Sequence, residues 1–160
     1  MSSRRKGRIL AFQALYSYEA APPAALEELL SFSWLEADKQ AALDEGTAMF
    51  SRLLIQGTIE NLAAVDDMIR AHLKNWDFSR LNRVDLALLR MSSYTLMYQD
   101  DVAPSIVIDE AIGISREYGT DDSYRFINGV LDSINRTLRG PRVAQGLQLL
   151  QDTKTPQDGQ

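Results

Sequence analysis

The sequence predicts an all-α protein of six or seven helices. Apolar residues recur at helical spacing almost throughout residues 24–103, a stretch that contains no proline. Each of the five prolines falls where a helical pattern begins or ends. With 160 residues, 45% of them hydrophobic, the chain is long enough to bury one core. We expect a single domain over residues 1–139 and a partly disordered C-terminal tail over residues 140–160.

The first half of the chain is predicted to hold three helices. The first covers about residues 3–18 and ends before the segment "AAPP". The second covers about residues 24–35. The third is long, covers residues 39–74, and is expected to kink near Gly57, because glycine weakens a helix interior.

Two helices follow whose ends are marked by single residues. Ser79 is the expected N-cap of the central helix, which reaches about Gln99. This helix is apolar in nearly every direction, which is typical of a helix buried at the centre of a fold. Pro104 or Ser105 begins the next helix and Gly119 ends it.

The last helix contains an Asn-Gly pair, which between apolar runs usually marks a β-hairpin. Capping side chains at residues 120–123 begin a helix too close to Asn128 to leave room for a strand. Apolar side chains also keep helical spacing, at Ile127, Val130, Leu131, Ile134 and Leu138. We therefore place Asn128 and Gly129 on a helix that ends near Leu138. Close approach of another helix or of a ligand is the expected reason for Gly129, with close helix packing preferred, and a structural hydrogen bond is expected of Asn128.

Charge is distributed unevenly along the chain. The formal net charge is −5, yet residues 1–18 carry no acidic side chain and four basic ones, Arg4, Arg5, Lys6 and Arg8. Residues 19–50 hold seven acidic residues against one lysine. Cations at a helix N-terminus oppose its dipole unless an anion such as phosphate binds there. The pattern fits a phosphate contact and a solvated basic end about equally.

The sequence offers no recognisable catalytic site. It has no cysteine and one histidine, His72, which we expect to be structural or solvated. The pairs Asp66-Asp67 and Asp100-Asp101 are expected at the solvated surface. No phosphate-binding glycine loop or zinc-protease motif occurs. We expect no enzyme, no cofactor and no metal site. We also expect a cytoplasmic protein, since no run approaches the roughly 20 apolar residues of a membrane span.

Two further groups each allow two interpretations. Asp85 and Arg90 are the only charges between Val84 and Gln99. Asp85 is expected either in a local ion pair, for example with Arg83, or at a contact with a partner protein.

Aromatic, cationic and amide side chains are clustered where the last helix begins: Tyr124, Arg125, Phe126 and Asn128. Such a mixture can stack on unpaired bases and reach their edges, as in recognition of single-stranded RNA. Ordinary packing of the two aromatic rings against the core is the alternative.

Three ordered segments resemble the NusB family of transcription antitermination factors. The segment "RRKGRILAFQALYSYE" is similar to the opening helix of that family, and "RVDLALLRMSSYTLMY" to its central helix. The segment "VAPSIVIDEAIGISREYGTDDSYRFINGVLDSI" is similar to its paired closing helices. The resemblance covers residues 4–18 and 80–136, with residues 50–73 fitting loosely. It implies a NusB-like fold of two packed helical bundles.

The resemblance also implies a function. The family binds the boxA segment of nascent RNA jointly with NusE, the ribosomal protein S10. The complex then modifies RNA polymerase so that it reads through terminators, chiefly in ribosomal RNA operons. No catalytic step is involved, and a homodimer that hides the RNA face is an option in such a family.

Roles for individual residues follow from the same resemblance. The basic residues Arg4, Arg5, Lys6 and Arg8 would contact RNA phosphates. Asp122, Arg125 and Phe126 would form the RNA-facing junction, with Phe126 as a surface for base stacking. Tyr16 and Asp85 fall where the family meets NusE.

Two rival functions remain open from the sequence. NusB-like domains also occur as RNA-binding parts of RNA methyltransferases; that function would need a downstream α/β catalytic domain with a glycine-rich cofactor loop, which we do not expect here. A helical adaptor that binds only proteins is the other rival, and the basic N-terminal segment argues against it.

Overall fold

The computed structural model describes residues 2–20 and 26–152, with side chains described as far as residue 140. These residues form eight α-helices and no strand, which confirms the all-α prediction. A short 3-10 helix at Phe78–Arg80 lies between α5 and α6. The helices are α1 (Ser3–Ala20), α2 (Leu26–Ser31), α3 (Ala37–Ala42), α4 (Glu45–Glu60), α5 (Leu62–Ala71), α6 (Arg83–Tyr98), α7 (Pro104–Tyr118) and α8 (Ser123–Asp152).

Helix α6 is the centre of the fold, as its all-round apolar pattern predicted. It packs against α1, α4, α5, α7 and α8. α1, α2 and α4 form one packed group and α7 and α8 form the other. Leu88 and Leu89 of α6 are fully buried between them. The N-cap of α6 is Asn82 rather than the predicted Ser79, which lies in the 3-10 helix.

The segment predicted as one helix over residues 39–74 is three helices, α3, α4 and α5. Asp44 ends the first stretch because its carboxylate accepts the Thr47 N–H of α4 at 2.8 Å. Asn61 separates α4 from α5, and its amide donates to the Gly57 carbonyl at 2.8 Å. The kink was predicted near Gly57, whereas the interruption lies four residues later at Asn61 and Gly57 itself lies inside α4. Its missing side chain instead makes room for the Tyr94 ring, which a Cβ there would overlap.

The second predicted helix, residues 24–35, is shorter than expected. α2 covers Leu26–Ser31, and Phe32 follows it with a φ of 57°. Residues 24 and 25 lie outside the described residues.

Helix α8 resolves the Asn-Gly question in favour of a helix. Ile127, Leu131 and Ile134 are fully buried on one face, which confirms the helical spacing. The predicted close packing of Gly129 is wrong, because no heavy atom lies within 4 Å of the position its Cβ would take. The expected structural role of Asn128 is also wrong, since its side chain is exposed and joins no hydrogen bond in the described residues.

The C-terminal end of α8 lies beyond the predicted one. The helix continues past Leu138 to Asp152. Residues 153–160, the rest of the tail expected to be partly disordered, lie outside the described residues. No helix in the described ranges has both the length and the apolar character to cross a bilayer.

A buried ion pair holds α1, α5 and α6 together. Arg90 of α6 donates to both carboxylate oxygens of Asp66, each at 2.9 Å. Its remaining amino group bonds Glu19 at 2.8 Å. Asp66 is therefore buried, and the prediction that it lies at the solvated surface is wrong. His72 is structural as expected, with hydrogen bonds of 2.8 Å to the Met68 carbonyl and to Thr137.

Candidate nucleic-acid interface

Two arginines of the basic N-terminal segment lie against α7. The Arg5 guanidinium is 3.5 Å from Glu110 Oε2, and that of Arg8 is 4.0 Å from the same atom. Arg5 crosses α7 at Gly113, where a Cβ would overlap its guanidinium. The Arg8 side chain is only 14% exposed, and burial lowers its pKa from the ordinary value while Glu110 opposes the shift. Both cations are thus held in place on α7 before any ligand binds.

The other two basic residues of the segment point elsewhere. The Arg4 guanidinium lies 4.3 Å from the centre of the Phe50 ring on α4. Lys6 is exposed and lines an apolar groove with Leu35 and Lys39 on a different side of α1. The structure therefore does not bring the four predicted phosphate contacts to one face.

Helix α7 extends the cationic surface toward α8. Glu110, Gly113 and Arg116 are spaced by three residues and so share one face of the helix. The Arg116 guanidinium lies 4.8 Å from the centre of the Tyr124 ring at the start of α8. Arg125 Nε in turn donates to Tyr124 Oη at 2.9 Å.

We call the resulting line of four guanidinium groups the arginine track; it consists of Arg5, Arg8, Arg116 and Arg125. Arg116 was not identified from the sequence. Its spacing of three from Gly113 and six from Glu110 would have placed it on the same face, but the contact of that face with α1 is a tertiary feature. The sequence alone gave no reason to choose this face of α7.

The turn between α7 and α8 positions the predicted junction. The Thr120 N–H donates to Ser123 Oγ at 3.1 Å, and the Phe126 N–H donates to the Asp122 carbonyl at 3.4 Å. Asp122 lies in the turn just before α8 and Arg125 lies in the first turn of that helix, and both are exposed. Phe126 is half-buried and packs on Trp76, with ring centres 5.2 Å apart and planes at 54°. Arg125 thus ends the arginine track, while Phe126 faces the neighbouring side of α8.

The predicted partner-binding residues differ in exposure. Tyr16 is 38% exposed and borders an open cleft of about 490 Å³ with Val84, Tyr118 and Thr120. Phe12 supports this wall, since its ring centre is 6.5 Å from Tyr16 and 5.3 Å from Tyr118. Tyr16 is therefore accessible to a partner.

Asp85 is only 6% exposed and lies in the first turn of α6, next to the N-cap Asn82. Its N–H donates to Asn82 Oδ1 at 2.8 Å, and the Asn82 amide donates back to Asp85 Oδ2 at 3.0 Å. Burial raises the pKa of the Asp85 carboxyl, while the nearby Ser123 hydroxyl and the Asn82 amide act in the opposite direction. The predicted ion pair with Arg83 is absent from the described residues. Asp85 therefore stabilises the start of α6, which borders the cleft, but its own side chain does not line the cleft.

Comparison with known proteins agrees with this fold. The model of the NusB family matches residues 5–136. The transcription antitermination protein NusB of Treponema denticola is 50% identical over 131 residues, which are 82% of this chain and 94% of that protein. The solved structure of T. maritima NusB has a TM-score of 0.75 and 36% identity, covering 83% of this chain and 90% of that chain.

A solved complex extends the comparison of folds. It is described as antitermination factors NusB and NusE with dsRNA, and its matching chain has a TM-score of 0.74 at 20% identity. The match covers 86% of this chain and 98% of that one. Together with the family match and the 50% identity, the all-α fold assigns the sequence: the chain belongs to the NusB family of transcription antitermination factors.

Proposed function

We propose that this antitermination factor binds the boxA segment of nascent RNA together with NusE, the ribosomal protein S10. The complex would then promote read-through by RNA polymerase, chiefly in ribosomal RNA operons and in the cytoplasm, where bacterial transcription takes place. The observation that carries the proposal is the arginine track, which joins the start of α1 to the start of α8 across α7.

Guanidinium groups in this arrangement suit a nucleic-acid backbone. Arginine presents a planar fork of donors that matches phosphate oxygens, and its charge persists when partly buried. The chain as a whole is acidic, with a net charge of −5, so binding would be confined to the track and its flanks. Arg4 lies on one flank, over Phe50, and Lys6 would contribute only at the periphery.

The junction also provides a ring on which bases of single-stranded RNA can stack, in addition to the phosphate contacts. Phe126 presents a half-buried ring next to Arg125, and unpaired bases stack on such rings. The exposed carboxylate of Asp122 lies one turn away and would limit the approach of phosphates on that side. Asp122 is therefore proposed to set the position of the RNA rather than to strengthen its binding.

The cleft beside Tyr16 is the proposed contact with NusE. Its aromatic wall, Tyr16 and Tyr118, combines apolar area with hydroxyl groups, which is typical of the centre of protein interfaces. Asp85 would act there as a positioning residue, since it holds the start of α6 that borders the cleft. The solved complex of NusB with NusE and dsRNA supports a joint partner and RNA function.

Fluorescence anisotropy of a labelled boxA RNA tests the proposal. The RNA is titrated with this protein, with and without NusE, and a scrambled RNA serves as the control. We expect tighter binding with NusE and selectivity over the scrambled sequence. Equal binding of both RNAs in both settings would contradict the proposed function and leave a NusB fold used for another purpose.

A further inference from the structure

A recess on α8 lies next to the proposed RNA-binding junction but outside the arginine track. It has a volume of about 270 Å³ and opens to solvent. One wall is a single face of α8, on which Phe126, Gly129, Ser133 and Arg136 follow one another at helical spacing. The opposite wall is the segment after α5, which contributes His72, Lys74 and Trp76. The hydrogen bond of 2.8 Å between His72 and Thr137 fixes that segment against α8.

Gly129 keeps the recess open. No heavy atom lies within 4 Å of the position that its Cβ would take, so neither helix packing nor a steric limit in the free protein requires glycine here. Glycine is nevertheless unfavourable inside a helix relative to alanine. Because Gly129 lines the recess, a ligand that approaches the α8 backbone would account for it.

The remaining walls identify the chemistry of such a ligand. Trp76 is 59% exposed although it is large and apolar, and its ring packs at a tilt on Phe126. Lys74 and Arg136 are exposed on the rim, where Arg136 also pairs with Asp132 at 3.1 Å. An aromatic wall, a floor without a side chain and a cationic rim suit a flat base that carries a phosphate.

We propose that this recess binds one unpaired nucleobase of the RNA strand, stacked on Trp76 and resting over Gly129, with Lys74 and Arg136 near its phosphate. The inference rests on the proposed function, because the strand that follows the arginine track to Arg125 would reach Phe126 and then the recess. It adds a second base-binding position, next to the Phe126 ring, to a surface whose arginine track contacts the phosphates.

Substitution of the glycine provides a test that does not depend on a folding defect. Gly129→Ala places a methyl group in the recess and also removes an unfavourable helical glycine, so its stability should equal or exceed that of the wild type. Gly140→Ala is the control for RNA binding, because Gly140 also lies in α8 with nothing within 4 Å of its Cβ position; its stability is not compared, since Pro141 follows it. Anisotropy with boxA RNA should show affinity lowered about fivefold or more by Gly129→Ala and unchanged by Gly140→Ala.

Tryptophan fluorescence reports directly on the recess. The chain has two tryptophans, and Trp34 is held on another side of the fold by a hydrogen bond of 3.1 Å to the Leu29 carbonyl. RNA should quench the wild-type emission, whereas Trp76→Phe should keep most of the affinity and lose the quenching. Trp76→Ala should bind about five- to 100-fold more weakly, because the stacking surface is gone.

The outcomes separate this inference from the proposed function. If the wild type binds boxA RNA but Gly129→Ala behaves like Gly140→Ala and no quenching occurs, the recess is not a base site and the proposed function stands. If adenosine monophosphate quenches Trp76 but RNA does not, the recess takes free nucleotides and the inference is wrong. If the wild type binds no RNA at all, both are overturned.

Discussion

Glu110 is the residue on which the arginine track depends in the free protein. Its Oε2 is within 4.0 Å of the guanidinium groups of both Arg5 and Arg8, is buried, and accepts no hydrogen bond from the described residues. Glu110 therefore orders the two arginines, and in the proposed complex it would compete with an RNA phosphate for them.

Neutralising this carboxylate should strengthen RNA binding. For Glu110→Gln we expect affinity raised about two- to fivefold, since a partly exposed ion pair contributes roughly 0.5–1 kcal/mol. Anisotropy titration with boxA RNA measures the change. The control is Glu117→Gln, which removes an equal charge from an exposed position on α7 without touching Arg5 or Arg8. An equal gain from both variants would mean that net charge, rather than competition for the arginines, is responsible.

Asp85 should make stability depend on pH in an unusual direction for a carboxyl. Burial raises its pKa in the folded protein above the ordinary value of 3.8, so the folded state binds this proton more tightly than the unfolded chain. The carboxyl of Asp85 therefore contributes fully to the free energy of unfolding below its pKa in the unfolded chain. This contribution is lost as pH rises through its pKa in the folded protein. Asp85→Asn should gain stability relative to the wild type between about pH 4 and about pH 7. Urea unfolding at the two pH values checks this.

Asp44 provides the opposite case for comparison. Hydrogen bonds from the Thr47 N–H and hydroxyl lower the pKa of Asp44, so its contribution is present at neutral pH and lost in acid. Asp44→Asn should therefore lose stability relative to the wild type at neutral pH but not in acid. The same pH trend in both variants would contradict the assignment of the two carboxyls.

Substitution of Arg90 should lower the free energy of unfolding more than substitution of an exposed charged residue. Arg90→Ala leaves Asp66 buried without its partner, which we expect to lower the free energy of unfolding by about 3–5 kcal/mol. Arg136→Ala breaks an exposed pair with Asp132 at 3.1 Å and should cost about 0.5 kcal/mol or less. Urea denaturation compares the two, and similar losses would show that the Arg90 pair is not truly buried.

At the scale of the helices, Gly57 and Gly129 lie in similar sequence contexts but have different structural roles. Gly57 accommodates the Tyr94 ring across the contact of α4 with α6, whereas Gly129 faces an open recess. In the sequence, both glycines lie inside helical patterns. Only the neighbours, which come from other helices, distinguish a packing glycine from one that leaves space.

Alanine should therefore have opposite effects at these positions. We expect Gly57→Ala to lower the free energy of unfolding by about 1–3 kcal/mol through overlap with Tyr94. Gly129→Ala should raise it by up to about 1 kcal/mol through helix propensity alone. Thermal or urea unfolding measures both, and a gain in stability for Gly57→Ala would show that the ring moves aside freely.

The helices that could be predicted well are those with strong periodicity and clear end signals. α7 begins at Pro104 and ends before Gly119, and α8 keeps its apolar face from Ile127 to Ile134, as expected. The breaks inside residues 39–74 could not be predicted, because they depend on the local hydrogen bonds of Asp44 and Asn61 within an otherwise continuous helical pattern.

Part of the candidate RNA-binding site could also be predicted, because some of its residues have a distinctive type and clustering in the sequence. Arg5, Arg125 and Phe126 stood out because their types and clustering suit RNA. Arg116 did not, since an exposed arginine on an amphipathic helix has no distinguishing feature until Gly113 brings Arg5 onto the same face. The different direction of Lys6 likewise follows from the packing of α1 on α4 and α6.

At the scale of the whole molecule, a local cationic track lies on a protein whose net charge is −5. Binding driven by the track should be strongly salt-dependent, whereas the rest of the surface should repel RNA. We infer that α7 joins the basic segment of α1 to the start of α8 in one phosphate-binding surface.

The salt dependence of boxA binding tests that claim most directly. The logarithm of the association constant is plotted against the logarithm of salt concentration for the wild type and for a variant with Arg5→Gln, Arg116→Gln and Arg125→Gln. Losing three phosphate contacts should make the slope shallower by about 2, since each contact with a single strand contributes roughly 0.7. A slope unchanged by the three substitutions would contradict the track and place the RNA elsewhere on the molecule.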